Sequence, residues 1–244
     1  PSSGRHHHDW SEASLILEVF SQHHGRVVLV AKGVKRPTSS FRPVLLPLQP
    51  LALTWGGDAE VRTLKAAKWL GGYTLPRGDA LMSAYYLNEL VLRLLPRDAP
   101  MPALFEAYAE TVAALSQSNG PASAVLRSFE IDLLHCLGVL PPLDQQADAQ
   151  ALQPEMAYRL VAEQGLWPTR HAQEGALSGA QWLALAQAFS GPPRWAVCAA
   201  LPSPARMALR QQLRALLTHE SGTVFKTPQV WRELQALRGE AGPV

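Results

Sequence analysis

A chain of 244 residues with 47% apolar side chains can bury a sizeable core and has the composition of an ordinary globular protein. Its two cysteines, Cys136 and Cys198, exclude a disulfide scaffold and a paired-CxxC zinc ribbon, and both read as buried thiols. The net charge of +2 conceals a polarised chain. Arg26 to Lys68 holds eight Lys/Arg against Asp58 and Glu60, Arg97 to Glu163 holds nine Asp/Glu against Arg97, Arg127 and Arg159, and Arg206 to Arg238 is basic again.

The N-terminus, PSSGRHHHDW, has no signal-peptide core, and no apolar run reaches the roughly 18 residues of a membrane helix, so the expected location is the cytoplasm. The chain does not open on Met, and its first strand is expected to be incomplete. Residues 6 to 74 read as strands: Ala13 to Phe20, Arg26 to Ala31, Val44 to Thr54 and Ala59 to Trp69, with turns at Gln22 to Gly25 and Gly56 to Asp58. Pro43, Pro47 and Pro50 limit how much of the third run can sit in a sheet. About five short strands fit a small closed barrel such as the oligonucleotide-binding (OB) fold, or a small sandwich.

After Gly71-Gly72 the pattern turns helical. Ala80 to Leu95, Pro102 to Ser116 and Pro121 to Leu137 have helical apolar spacing, the last stopped by Gly138. Pro141 to Pro154 is a polar, acidic loop, and Met156 to Thr169 reads as two short strands around Glu163-Gln164-Gly165. Ser178 and Gln181 form a capping box that opens a helix through Ala188. Pro204 to Thr218 is a helix with Arg206, Arg210 and Arg214 on one face, and Thr227-Pro228 caps a final helix through Leu237.

Enzyme signatures are missing from the sequence: no GxGxxG, no GxxxxGK[ST], no GxSxG. His6-His7-His8 and His23-His24 make a poor metal set, because consecutive strand residues point to opposite faces. The cations are the stronger signal. Arg26, Lys32, Lys35, Arg36 and Arg42 flank strands of the proposed barrel, and Arg62, Lys65 and Lys68 belong to its last strand. Several together neutralise phosphates and give a salt-dependent affinity for DNA. Among the few aromatics, Trp10, Phe20, Phe41, Trp55 and Trp69, Phe41 beside the basic loop is the best candidate to stack on a base, while Phe20 and Trp55 read as core. Arg127, the sole cation between Arg97 and Arg159, sits among apolar helical residues, where it suits the C-terminal carboxylate of a peptide.

The chain resembles bacterial RecO, the recombination and repair mediator family, over nearly its whole length. The matching residues are Trp10 to Ser14, His24 to Val27, Val30 to Gly33, Leu48 to Pro50, Glu60 to Leu64, Tyr86 to Leu90, Leu104-Phe105 with Tyr108, Leu126 to Glu130, Leu133-Leu134, Leu137-Gly138, Arg206 to Leu217, Gly222 and Lys226-Thr227. The resemblance implies an α+β protein: an N-terminal OB-fold barrel over residues 1–74, its first strand truncated, and a mainly helical domain over 75–244 with a small hairpin near 156–169. It implies binding to single- and double-stranded DNA, annealing of complementary strands, partnership with RecR, and loading of RecA onto strands coated by single-stranded DNA-binding protein. The acidic, Phe-terminated tail of that coating protein docks on the helical domain in the family, and the basic contact of the family's LR-x-F motif falls on Arg127. No cofactor is implied. Some members carry a four-cysteine zinc site where this chain has Pro141 to Gln150 without cysteine, so no zinc is carried over. The protein is expected to be non-enzymatic, cytoplasmic and nucleoid-associated during repair. The alternative is a protein-only adaptor whose barrel binds a partner protein instead of DNA.

Overall fold

The computed structural model describes residues 2–3 and 7–11 by their backbone, and residues 13–72, 74–117, 121–169, 175–189 and 194–231 in full. Two compact units divide at Gln117 and Ser118.

The first unit is built on six strands: β1 (Ser2–Ser3), β2 (His7–Ser11), β3 (Ser14–Ser21), β4 (Gly25–Ala31), β5 (Leu51–Gly56) and β6 (Val61–Trp69). β1 and β2 lie in turn along the same edge of β3, with Ser3 opposite Phe20 and His7 opposite Leu17. β3 pairs antiparallel with β4, β4 parallel with β6, and β6 antiparallel with β5. Ser2 then pairs with Leu51 as well as Ser21, which closes the ring. Counting β1 and β2 as one strand, the order is that of a five-stranded OB barrel. Closure is made by Ser2, which pairs with both β3 and β5.

β4 explains its own sequence. GRVVLVA is apolar at successive positions because both faces are covered. Val27, Leu29 and Ala31 point into the barrel core with Leu17, Val19, Leu45, Leu51 and Leu64. On the outer face Phe20 packs against Phe105 and Tyr108, at ring separations of 5.4 and 5.7 Å. Those two aromatics belong to α2 (Pro102–Gln117), which follows α1 (Asp79–Leu94). Tyr108 in turn donates its hydroxyl to Asn88 Oδ1 of α1 at 2.5 Å. The segment between the helices runs beside the start of β4, where Asp98 N–H donates to Arg26 O.

Gly25 holds the turn between β3 and β4 under two constraints. Its φ is +65°, and a Cβ placed there would lie 2.0 Å from the carbonyl oxygen of Ala99. Gly25→Ala is therefore expected to destabilise the protein by about 3 kcal/mol or more, since left-handed backbone alone costs up to about that for a non-glycine residue. A urea midpoint unchanged from wild type would contradict this.

Strand formation fails over 44–50, where the sequence pattern extends a strand from Val44. Residues 32–50 form successive turns, and only Leu51–Gly56 pairs. Pro43, Pro47 and Pro50 lack the amide a ladder requires, yet Leu45 and Leu48 still plug the core from the loop.

The second unit contains α3 (Ala122–Cys136), β7 (Ala157–Val161), β8 (Gly165–Thr169), β9 (Leu177–Ser178), α4 (Gly179–Gln187), α5 (Arg194–Ala200) and α6 (Ser203–Ser221). β7 and β8 form an antiparallel hairpin, and β9 adds to the other edge of β7. Ser178 and Gln181 make both hydrogen bonds of a capping box at the start of α4. Gln212 of α6 is buried and acts as a splint, accepting from Leu160 N–H at 2.5 Å and donating to Gly175 O at 2.7 Å. The seven-residue α5 escapes sequence reading because RWAVCAA has no polar stripe to set a period. Residues 227–231 are helical, and the expected continuation to Leu237 lies outside the described residues.

Candidate nucleic-acid interface and peptide pocket

The strand directions sort the eight barrel cations into groups. β4 and β6 end, and β3 and β5 begin, at the same end of the barrel. The loop 32–50 spans that end and carries Lys32, Lys35, Arg36 and Arg42, all exposed. Lys68, near the end of β6, joins them, and Lys65 stands along β6 at a bulge opposite Thr54 and Trp55. Gly33, at φ +69°, lets the loop fold back so that Arg36 N–H donates to Gly33 O.

Arg26 and Arg62 start β4 and β6 and so lie toward the opposite end. Arg26 is half-buried, donating Nε–H to Leu95 O at 3.0 Å and pairing with Glu18 at 3.4 Å. Burial lowers its pKa from the ordinary arginine value; Glu18 opposes the shift and Arg97 adds to it. Arg97 bridges Glu18 and Glu60, and Arg62 pairs with Asp98 at 2.6 Å. These two cations therefore meet carboxylates of their own unit. Sequence reasoning grouped them with the other six because Glu18, Asp98 and Leu95 reach them only through the fold.

The aromatics sort differently from their sequence reading. Phe20 is buried, as read, and Trp55 is partly buried, in an edge contact with His24 at 5.1 Å. Phe41 is half-buried and packs against the barrel core. Trp69 is 54% exposed while its indole N–H donates to Gln49 Oε1. The side chain of Trp10 lies outside the described residues.

In the second unit Arg127 is buried on α3 and donates to Glu130 Oε1 at 2.5 Å. Its Nε–H has no acceptor among the described residues. A cavity of about 160 Å3 opens beside it, lined by Ser123, Ala124 and Arg127 of α3, Cys198 of α5, and Ser203, Arg206, Met207, Leu209 and Arg210 of α6. Arg206 is tied back to Ala199 O and Leu201 O, while Arg210 is exposed. Three arginines around an apolar wall can hold a carboxylate whose adjoining side chain fills the cavity. The α6 arginine stripe was legible in the sequence; its convergence on Arg127 was not.

Cys198 is buried at this cavity, and burial pushes its thiol up to about 12. Cys136 was read as buried but is exposed at the end of α3, where burial of part of the group and then Asp132 raise its pKa. Near pH 8 a chromogenic disulfide reagent is expected to label Cys136 in the native protein, more slowly than a free thiol because its raised pKa leaves less thiolate, and Cys198 only after denaturation. Prompt labelling of two thiols in the native protein would contradict the buried placement.

Among the described residues no three His, Cys, Asp or Glu side chains are grouped to hold a metal ion, and no helix is long and apolar enough to cross a membrane. Residues 6–73 match the family Recombination protein O N terminal, and residues 75–237 match Recombination protein O C terminal. The chain belongs to the RecO family. It is 52% identical over 240 residues to DNA repair protein RecO of Polaromonas naphthalenivorans, covering 97% of this chain and 96% of that protein. The proteins of the same name from Delftia acidovorans and Verminephrobacter eiseniae are 50% and 48% identical over the same shares. RecO membership puts the chain's role in DNA repair and recombination.

Proposed function

We propose that the chain is a non-enzymatic mediator that binds single- and double-stranded DNA and anneals complementary strands. The observation that carries this reading is the gathering of Lys32, Lys35, Arg36, Arg42 and Lys68 at one end of the barrel; Lys65 stands farther along β6, its ammonium beside Gly56 at the last position of β5. Cations on two strands' worth of phosphate lower the repulsion that opposes pairing. Arg26 and Arg62 hold the fold in this account. The second unit takes the acidic, Phe-terminated tail of single-stranded DNA-binding protein, with Arg127 and Arg210 on the carboxylates and the apolar wall on the phenyl ring. Family membership supports partnership with RecR, the consequent loading of RecA, and work at the cytoplasmic nucleoid. The domain assignment that goes with it is a DNA-binding barrel over 1–74 and a helical recruiting domain over 75–244, of which α1 and α2 lie in the same compact unit as the barrel. An annealing assay titrated in salt, with and without the coating protein on the strands, tests both halves: annealing should fail in variants lacking the lysine end, and stimulation by the coating protein should fail in Arg127 variants.

A further inference from the structure

We propose that a cavity at the basic end of the barrel is a pocket for one unstacked nucleobase of a single strand, with Lys35 and Arg42 at its rim on the neighbouring phosphates. The proposal rests on the reading of this end as a DNA surface and adds the strand form that it takes. The cavity measures about 190 Å3 and is lined by Leu15, Val34, Lys35, Arg42 and Leu45. Three aliphatic side chains and two cations make an apolar recess with charge beside it, the chemistry of a base flanked by phosphates. An apolar protein cavity of about 150 Å3 accepts one benzene ring, so this one suits a single base and excludes a base pair.

The pocket is formed in advance of any ligand. Lys35 N–H donates to Ala13 O at 3.2 Å, fastening the loop to the approach to β3. Val44 and Leu45 N–H both donate to Phe41 O, at 3.1 and 2.9 Å, which sets the position of Leu45. Val34 and Leu45 are buried and Phe41 packs against the same core, so the walls are backed by the barrel. Phe41, half-buried, packs against that core and holds Leu45 through its carbonyl.

A base inside a duplex is stacked on both faces and paired at its edge, and must be extruded before it can enter. A base on a single strand enters without that cost. The pocket thus favours the reactant of annealing over its product, and a base held there is surrendered when its strand pairs.

The test uses the full chain, an oligothymidylate of about 16 residues, a duplex of equal length and an oligothymidylate in which abasic sites replace the bases. Wild type is expected to bind the abasic strand about tenfold more weakly than the intact strand at equal salt, the scale of one base contact. Leu15→Phe, which narrows the recess from a half-buried position, is expected to lose the same factor on the intact strand, none on the duplex, and to keep the wild-type salt slope. Equal binding of intact and abasic strands by wild type would overturn the pocket, and that arm needs no variant to fold. Equal loss on strand and duplex in Leu15→Phe would overturn it too. Thymidine monophosphate displacing the strand at micromolar concentration would reassign the recess to free nucleotides. Lys35→Ala with Arg42→Ala should weaken strand and duplex alike; if neither changes, the DNA reading of this end fails, whatever the pocket does.

Discussion

Replacing Lys32, Lys35 and Arg36 together by alanine is expected to weaken binding to single strands about a hundredfold at 0.1 M salt, with the loss shrinking as salt rises. Each phosphate contact on a single strand contributes about 0.7 to the slope of log affinity against log salt, and about 0.9 on duplex. Three lost contacts therefore flatten the slope by about 2 on single strands and about 3 on duplex. The three residues are exposed on the loop that spans one barrel end, so alanine there leaves the core of Leu17, Leu29 and Leu64 untouched. Arg62→Ala is the internal comparison. Its guanidinium faces Asp98, so the expected result is a wild-type salt slope with a small change in stability. Fluorescence anisotropy across a salt series reads both quantities. A triple variant with the wild-type slope, or a wild type whose DNA affinity is weak and indifferent to salt, would return the barrel to the role of a protein adaptor.

Arg127→Ala is expected to weaken an acidic, Phe-terminated peptide by about thirtyfold or more, the scale for truncating one partner of a desolvated, hydrogen-bonded charge pair. The variant also leaves Glu130, which is wholly buried, without this arginine, and breaking a buried pair costs about 3–5 kcal/mol of stability. Two further variants separate binding from folding. Arg127→Lys keeps the charge but loses the planar fork that a carboxylate matches, so peptide affinity falls while the fold is largely kept. Arg210→Ala removes an exposed cation from the rim of the same cavity, and is expected to weaken the peptide several-fold with no shift in the unfolding midpoint. Calorimetric titration gives the affinities and urea unfolding the stabilities. Unchanged affinity in both Arg127→Lys and Arg210→Ala would remove the cavity from the recruiting account.

The residues differ in how openly the sequence displays their roles. Features that depend on near neighbours were legible: the strand GRVVLVA, the stop at Gly138 after α3, and the reciprocal cap of Ser178 and Gln181. Arg127 stood out because the acidic stretch around it holds so few cations. Features that depend on distant partners were hidden. Arg26 looked like Lys32 until Leu95, 69 positions on, accepted its hydrogen bond. α5 carries too few polar residues to show a period, so Cys198 could not be placed beside Arg127. The loop 32–50 was misread in part because Leu45 and Leu48 fill the core as strand residues would, without any ladder around them.

The barrel's two ends also differ in net charge. Lysines and arginines crown one, while at the other Glu18, Glu60 and Asp98 are matched by Arg26, Arg97 and Arg62. In the field of a polyanion such a body feels a torque before it feels a contact: one end is drawn in and the balanced end is not. DNA therefore meets the lysine end first on most approaches, and fewer collisions are wasted in the wrong pose. Neutralising Glu60 or Asp98 would unmask Arg97 or Arg62 and give the far end a pull of its own, so these carboxylates act on the pose of arrival and not on the grip.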